Sequence, residues 1–218
     1  MTSGLRRFAQ PALPRRVAGR PVDATVGAAV EAAVERCEMC ATPLAERHGH
    51  LVELDRRTIA CACRACYLLF TRDGAGGGRY RAVPDRYLHD PDDPLTPAEW
   101  EALGIPVAMA FFFTNSDLGR VVAGYPSPGG ATECELDLTA WQDLTRTHPL
   151  FAAAAPDVEA VFVTDLAAFL VPIDACYSLV GRIRLLWRGV TGGDEMRQGL
   201  DDFVADLRAR SRPWTAGR

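Results

Sequence analysis

Lysine is absent from this chain, and several patterns that identify common protein classes are absent with it. All 24 basic residues are arginine, which we attribute to codon usage in a GC-rich genome rather than to selection for bidentate arginine contacts. The glycine-rich segment 74–78 lacks the lysine and the serine or threonine that a phosphate-binding loop requires. We therefore interpret this segment as a flexible loop and domain boundary, not as a nucleotide site.

Long apolar segments and catalytic motifs are also missing. The longest uncharged stretch, residues 102–116, is interrupted by a proline and is too short to span a bilayer. Residues 1–20 carry arginines without the apolar segment of a secretory signal, so we expect a cytoplasmic protein without membrane insertion. Neither a Gly-x-Ser-x-Gly elbow nor a His-Glu-x-x-His helix occurs, and there are only 4 histidines. We therefore favour a non-catalytic role.

The composition is that of a folded protein with one or two domains. At 218 residues and 48% hydrophobic content, the chain can bury a sizeable core. Its net charge is -4 and its arginines are scattered, whereas nucleic-acid-binding domains concentrate positive charge on one face. We therefore expect a protein partner and no nucleic acid.

Cysteine is the residue type whose distribution indicates a specific chemistry. Five of the 7 cysteines fall within residues 37–66, and four of them form two Cys-x-x-Cys hooks, Cys37/Cys40 and Cys63/Cys66. Each hook supplies two sulfurs from one tight turn, and a hairpin between the hooks brings them together around a tetrahedral ion. The spacing predicts a zinc site with these four cysteines as ligands.

Three further residues leave alternatives open. Cys61 is the fifth cysteine of the segment, and His48 and His50 lie between the hooks. Each can contribute to a mixed site or to a second, weakly held ion, and an exposed Cys61 beside an ion can be a reactive thiol. An iron–sulfur cluster or a mononuclear iron is the alternative to zinc, and reduced thiols or disulfides are the alternative to any metal.

The pattern along the chain predicts an α+β fold in three parts. We expect a disordered basic arm over residues 1–21, a helix plus a zinc-ribbon-like metal module over 22–72, and an α+β domain over 79–218. Within the module, the helix covers 22–35, and two strands on either side of the turn 55–57 pair as a hairpin.

The larger domain is predicted to contain a mainly antiparallel sheet with helices added on one side. Thr96 and Glu99 form a capping box at the start of a short helix. Two helices near the end of the chain, one capped by Asp174 and one beginning at Asp194, are predicted to pack on the sheet as a helical hairpin.

Several sequence blocks resemble an uncharacterised bacterial family, DUF5947. They are residues 36–40 (Arg-Cys-Glu-Met-Cys), 48–52 (His-Gly-His-Leu-Val), 61–70 around the second hook, and 177–189. Members of this family tend to be encoded beside uptake nickel-iron hydrogenases in actinobacteria and related organisms. The resemblance therefore implies a biological setting for about residues 36–210, without an activity.

These observations favour one functional hypothesis over two others. The first is a zinc-binding accessory protein that assists assembly, maturation or docking of a nickel-iron hydrogenase, with a hydrogenase subunit or maturation factor as partner. The second is a redox module, either an iron–sulfur or a reactive-thiol protein, that exchanges electrons with a partner. The third is a nickel carrier that uses His48, His50 and cysteines.

Overall fold

The computed structural model of the protein describes residues 34–134, 136–189 and 192–215. The predicted basic arm over 1–21 lies outside the described residues. So does the predicted helix over 22–35, apart from its last two residues, Val34 and Glu35, which are not helical.

A small antiparallel sheet of three strands stands beside the cysteine hooks. Its strands are β1 (Gly49–Glu53), β2 (Thr58–Ala62) and β3 (Tyr80–Ala82), in the order β2-β1-β3. Leu51 of β1 pairs with Ala60 of β2, and both side chains are buried. The predicted hairpin between the hooks is confirmed.

Helix α1 (Arg64–Leu69) begins at the second hook, where we had not predicted a helix. None of its residues is buried, so its own packing holds it only weakly. The ring of Tyr67 lies against Gly49, where any Cβ would be 2.5 Å from Tyr67 Cδ2. The Tyr67 hydroxyl also donates a hydrogen bond to the carbonyl of Val83 at 3.0 Å. The Tyr67 side chain therefore helps to fix α1 on the small sheet, together with Cys66, which packs against the same core.

The glycine-rich segment returns the chain from α1 to the small sheet. Gly74, Gly76, Gly77 and Gly78 all have positive φ, between 59° and 78°, a region that other residues enter only with strain. The segment leads into β3, which pairs with β1. The division into a module over 22–72 and a domain over 79–218 stays a prediction.

The second sheet has seven strands, in the order β10-β4-β9-β8-β5-β6-β7. All neighbouring pairs are antiparallel except β10 and β4, so the prediction of a mainly antiparallel sheet is confirmed. The strands are β4 (Leu88–His89), β5 (Met109–Asn115), β6 (Arg120–Ser127), β7 (Gly130–Cys134), β8 (Glu159–Thr164), β9 (Ala167–Pro172) and β10 (Arg212–Pro213).

Helices cover both faces of this sheet, so the prediction of helices on one side is wrong. Neighbouring residues of β5 show why: Phe111 packs in the core that includes α5 (Ile173–Leu186) and α6 (Gly193–Arg210), whereas Phe112 packs in the opposite core. The opposite core includes α3 (Leu138–Thr147), α4 (Pro149–Ala152) and Trp100 of α2 (Pro97–Ala102). Continuous apolar strands such as β8 are buried on both sides.

The small sheet packs on the same face as α5 and α6. Val52 of β1 and Val83, one residue after β3, belong to the core that contains Leu179 of α5 and Leu207 of α6. Residues 34–218 accordingly group as one compact unit. In the described part of the chain, every helix is too short or too polar to cross a bilayer.

The two C-terminal helices occur and contact each other, but residues 190–191 of their connection lie outside the described residues, and the hairpin stays a prediction. The predicted cap of α5 is wrong. Pro172 holds the cap position, without a capping side chain. Asp174 lies within the first turn of α5, and its carboxylate contacts the His50 imidazole instead.

Candidate metal centre

The two hooks are held by different local structures. The first hook is a tight turn in which the Ala41 amide donates to the Cys37 carbonyl at 2.7 Å. Ala41 adopts a φ of 60°, a left-handed conformation that closes such turns. The second hook is the start of α1, with Cys63 at the cap position and Cys66 in the first turn. The β1–β2 hairpin joins the hooks.

All four predicted ligands meet at one point. The Sγ atoms of Cys37, Cys40, Cys63 and Cys66 lie within 4.8 Å of one another, and the Cys40 and Cys63 sulfurs are 3.7 Å apart. Sulfurs at the corners of a tetrahedron, each about 2.3 Å from a zinc ion, are about 3.8 Å apart. All seven cysteines are free. The cluster therefore has a geometry that can hold a single metal ion.

The cluster sits at the edge of a small apolar core. Cys37 is only 2% exposed and packs with Leu51, Ala62 and Ala82, whereas Cys40 is exposed. Four buried residues make a minor hydrophobic contribution compared with the two cores of the large sheet. A metal ion would be a principal source of stability for this segment.

Hydrogen bonds lower the pKa of two of the clustered thiols, Cys37 and Cys40. Burial raises the pKa of Cys37, but hydrogen bonds from the backbone of Cys63, Cys40 and Met39 outweigh it and leave the pKa below its ordinary value. The Thr42 hydroxyl and backbone, with neighbouring thiols, lower the pKa of Cys40 to about 6.

Cys66 is shifted in the opposite direction. Its contact with Cys40, together with burial, raises the pKa of the Cys66 thiol to about 12. Adjacent thiolates repel one another, so the last sulfurs of the group lose their protons only when a cation compensates the charge. The arrangement therefore combines thiolate ligands that are ready to bind with others that bind only in exchange for a proton.

Cys61, His48 and His50 form a second group, separate from the four cysteines. Their ligand atoms lie within 4.8 Å of one another, because the β1–β2 register places His50 directly opposite Cys61. Burial, followed by the nearby Glu35 carboxylate, raises the pKa of the Cys61 thiol to about 11. The predicted reactive thiolate at Cys61 requires a bound metal ion beside it and stays a prediction.

Two residues of this second group were missed from the sequence. Glu35 was assigned to the predicted helix, and Asp174 was assigned to a helix cap. The Asp174 carboxylate raises the pKa of His50 against the opposing effect of burial. His50 and Asp174 are 124 positions apart, and no local sequence pattern indicates their contact. The position of Glu35, two residues before the first hook, is the only signal that the sequence offers for it.

Comparison with known proteins places these residues in a family. Residues 36–211 match the model of a family described as "Family of unknown function (DUF5947)". The chain belongs to this family. The DUF5947 match begins one residue before Cys37, so it includes the four clustered cysteines, His48, His50 and every strand of the two sheets except β10. No curated protein and no solved structure matches the chain.

Proposed function

We propose that this DUF5947 protein is a non-catalytic zinc-binding accessory protein. In this proposal, Cys37, Cys40, Cys63 and Cys66 hold one zinc ion, which fixes the surrounding segment as a recognition surface for a protein partner. The observation that carries the proposal is the convergence of four free thiols within 4.8 Å. Thiolate sets of this kind with no open position are typical of structural zinc sites.

The spacing of the sulfurs supports one ion over a multi-iron cluster. An iron–sulfur cluster places bridging sulfides and several irons between its cysteine ligands, so those ligands stand farther apart than the ligands of a single ion. All four sulfurs lie within 4.8 Å of one another, a separation that corresponds to the ligands of one ion. Zinc also has no redox chemistry, which agrees with a recognition role rather than electron transfer.

The recognition surface that we propose is the exposed side of α1. Leu68 and Leu69 lie two and three residues after Cys66 and are 50% and 68% exposed. Two adjacent exposed leucines on a helix without buried residues indicate an apolar contact site for a partner. The ion would orient this helix, because Cys63 is its cap residue and Cys66 lies in its first turn.

We assign the partner from the DUF5947 setting described above. A nickel-iron hydrogenase subunit or a maturation factor would dock an apolar patch on Leu68 and Leu69. No nucleic acid, membrane insertion or secretion belongs to this proposal, and the protein would act in the cytoplasm.

Metal analysis of anaerobically purified protein tests the zinc site. We expect Cys37→Ser to lower the zinc content by one ion per chain and to destabilise the small sheet, because binding and folding of this segment are coupled. Cys134→Ser is the matched control, since Cys134 is partly exposed on β7 of the large sheet. Coloured, reducible protein, or equal zinc content in both variants, would contradict the proposal.

Genetic complementation tests the partner. Deletion of the gene should leave unprocessed or inactive hydrogenase, and the wild-type gene should restore it. We expect the double variant Leu68→Asp/Leu69→Asp to bind zinc but to fail in complementation. Leu185→Asp is the control, because Leu185 is 75% exposed on α5 and should complement fully. Fully active hydrogenase in the deletion strain would remove the hydrogenase assignment while leaving the zinc site untouched.

A further inference from the structure

We propose that the chain contains a second metal site, formed by Nε2 of His48, Nε2 of His50, Sγ of Cys61 and the carboxylate of Glu35. It would take an exchangeable divalent ion of the late first-row transition metals, such as zinc, cobalt or nickel. This site lies outside the four-cysteine cluster and does not depend on the function proposed for that cluster.

The β1–β2 hairpin assembles three of the four ligands. His50 pairs with Cys61 across the hairpin, and His48 precedes β1 by one residue. The two imidazole rings are 4.9 Å apart between centroids and nearly perpendicular. One ligand atom from each of the three residues lies within 4.8 Å of the others. Small movements of the side chains would bring these atoms to bonding distance of one ion, about 2.0 to 2.3 Å.

Nδ1 of each histidine already lies at hydrogen-bond distance from an acceptor. His48 Nδ1 lies 3.0 Å from the Ala45 carbonyl, and His50 Nδ1 lies 2.5 Å from Asp174 Oδ2. Both acceptors require a proton on Nδ1, so each neutral ring presents an unprotonated Nε2. A carbonyl or carboxylate behind the ring is the arrangement that orients metal-binding histidines in proteins.

The environment of His48 provides an independent observation that supports this site. His48 Nε2 is buried and has no hydrogen-bond partner among the described residues. A buried acceptor without a partner is costly. The nearest carboxylate, Glu35 Oε2, is 3.9 Å away, too far for a hydrogen bond. A metal ion between the two atoms would satisfy both.

Glu35 completes the set of metal ligands through its position and its negative charge. Its Oε1 lies 3.6 Å from Cys61 Sγ, so one carboxylate approaches two of the other ligands. One thiolate, one carboxylate and two neutral imidazoles carry two negative charges, which a divalent cation neutralises. A donor set of nitrogen, sulfur and oxygen suits zinc, cobalt and nickel, and excludes calcium and magnesium, which prefer oxygen alone.

The surroundings make this ion exchangeable. His48 and His50 line a groove between the small sheet and helices α5 and α6, together with Asp174 and Arg182. The Glu35 side chain is 63% exposed and can be displaced by water or by an incoming ligand. One thiolate, in place of four, also binds a soft ion less tightly.

Titration of the full-length, zinc-loaded protein with Co²⁺ tests the proposal. We expect the wild type to bind one ion beyond the four-cysteine site, with a sulfur-to-cobalt charge-transfer band. His48→Gln and Cys61→Ser should lose this ion while they keep the first. His89→Gln is the control, because the His89 ring bonds to the Ala168 carbonyl and stacks on Phe169.

The Asp174→Asn variant tests a residue that orients the ligand His50 without binding the ion itself. This variant should still bind the second ion, with an affinity lower by about 10- to 100-fold, as for other supporting partners of metal-bound histidines. A wild type that binds no ion beyond the first, or a Cys61→Ser chain that binds the second ion with unchanged affinity, would overturn the second site. Either result would leave the four-cysteine site standing.

Discussion

At the scale of single residues, a buried ion pair joins the segment after the small sheet to the large sheet. Glu159 on β8 is 0% exposed and accepts a hydrogen bond at 2.7 Å from Nε of Arg86. A second guanidinium nitrogen of Arg86 contacts the same carboxylate, and this contact raises the pKa of Arg86. The Ala155 amide donates to Oε2 of the carboxylate at 2.9 Å, the oxygen that the second guanidinium nitrogen also contacts. Both oxygens of the buried carboxylate therefore have hydrogen-bond donors.

Substitution of Arg86 should destabilise the protein, because it leaves the buried Glu159 carboxylate without its ion-pair partner. We expect Arg86→Gln to lower the free energy of unfolding by about 2 kcal/mol. The expected loss is smaller than that for breaking a fully buried ion pair, because Arg86 is partly exposed and water compensates some of the lost interaction. Urea unfolding followed by circular dichroism measures the change. Arg208→Gln, at an exposed position on α6, should change it by less than about 0.5 kcal/mol. Equal effects would refute this account of the pair.

At the scale of elements, the start of α2 agrees with the sequence in detail. Thr96 and Glu99 form the predicted capping box, in which each side chain bonds to the backbone of the other residue. The backbone and hydroxyl of Thr96 hold the pKa of Glu99 below its ordinary value, and His148 adds to the effect. The prediction succeeded because a capping box depends on two residues three positions apart and on nothing more distant.

The lowered pKa of Glu99 gives α2 a dependence on pH. A carboxyl group whose pKa is lower in the folded state stabilises that state above its ordinary pKa of about 4.3 and loses this contribution as pH falls through the folded value. Glu99→Gln should therefore unfold at lower urea concentration than the wild type at pH 7. The gap between the two midpoints should narrow as pH falls below the ordinary glutamate pKa of about 4.3. A gap that is constant with pH would contradict the assignment.

Other elements were not predictable because their cause lies elsewhere in the chain. Helix α1 consists of residues 64–69 and buries none of them. Its start is set by the second hook, and its position by the contact of Tyr67 with Gly49. Strands β4 and β10 have two residues each, too few for a periodic pattern. Their pairing brings together residues 88–89 and 212–213, which no local signal relates.

At the scale of the whole molecule, the sequence predicted the hooks but not their surroundings. Two Cys-x-x-Cys turns joined by a hairpin bring four sulfurs together through local geometry, so their convergence followed from spacing alone. The position of the small sheet against α5 depends on Val52, Val83 and the contact of His50 with Asp174. Such contacts arise from the tertiary fold. The same tertiary fold brings together His48, His50 and Cys61, which the sequence left as possible additional ligands, as a separate group.

The zinc-edge X-ray absorption spectrum of the Cys61→Ser protein tests the central claim most directly, because this variant removes the second site and leaves only the four-cysteine cluster. We predict one zinc ion per chain with four sulfur neighbours at about 2.3 Å and no nitrogen or oxygen in the first shell. A shell with fewer sulfurs, or protein that binds no zinc, would contradict the claim that Cys37, Cys40, Cys63 and Cys66 hold one ion.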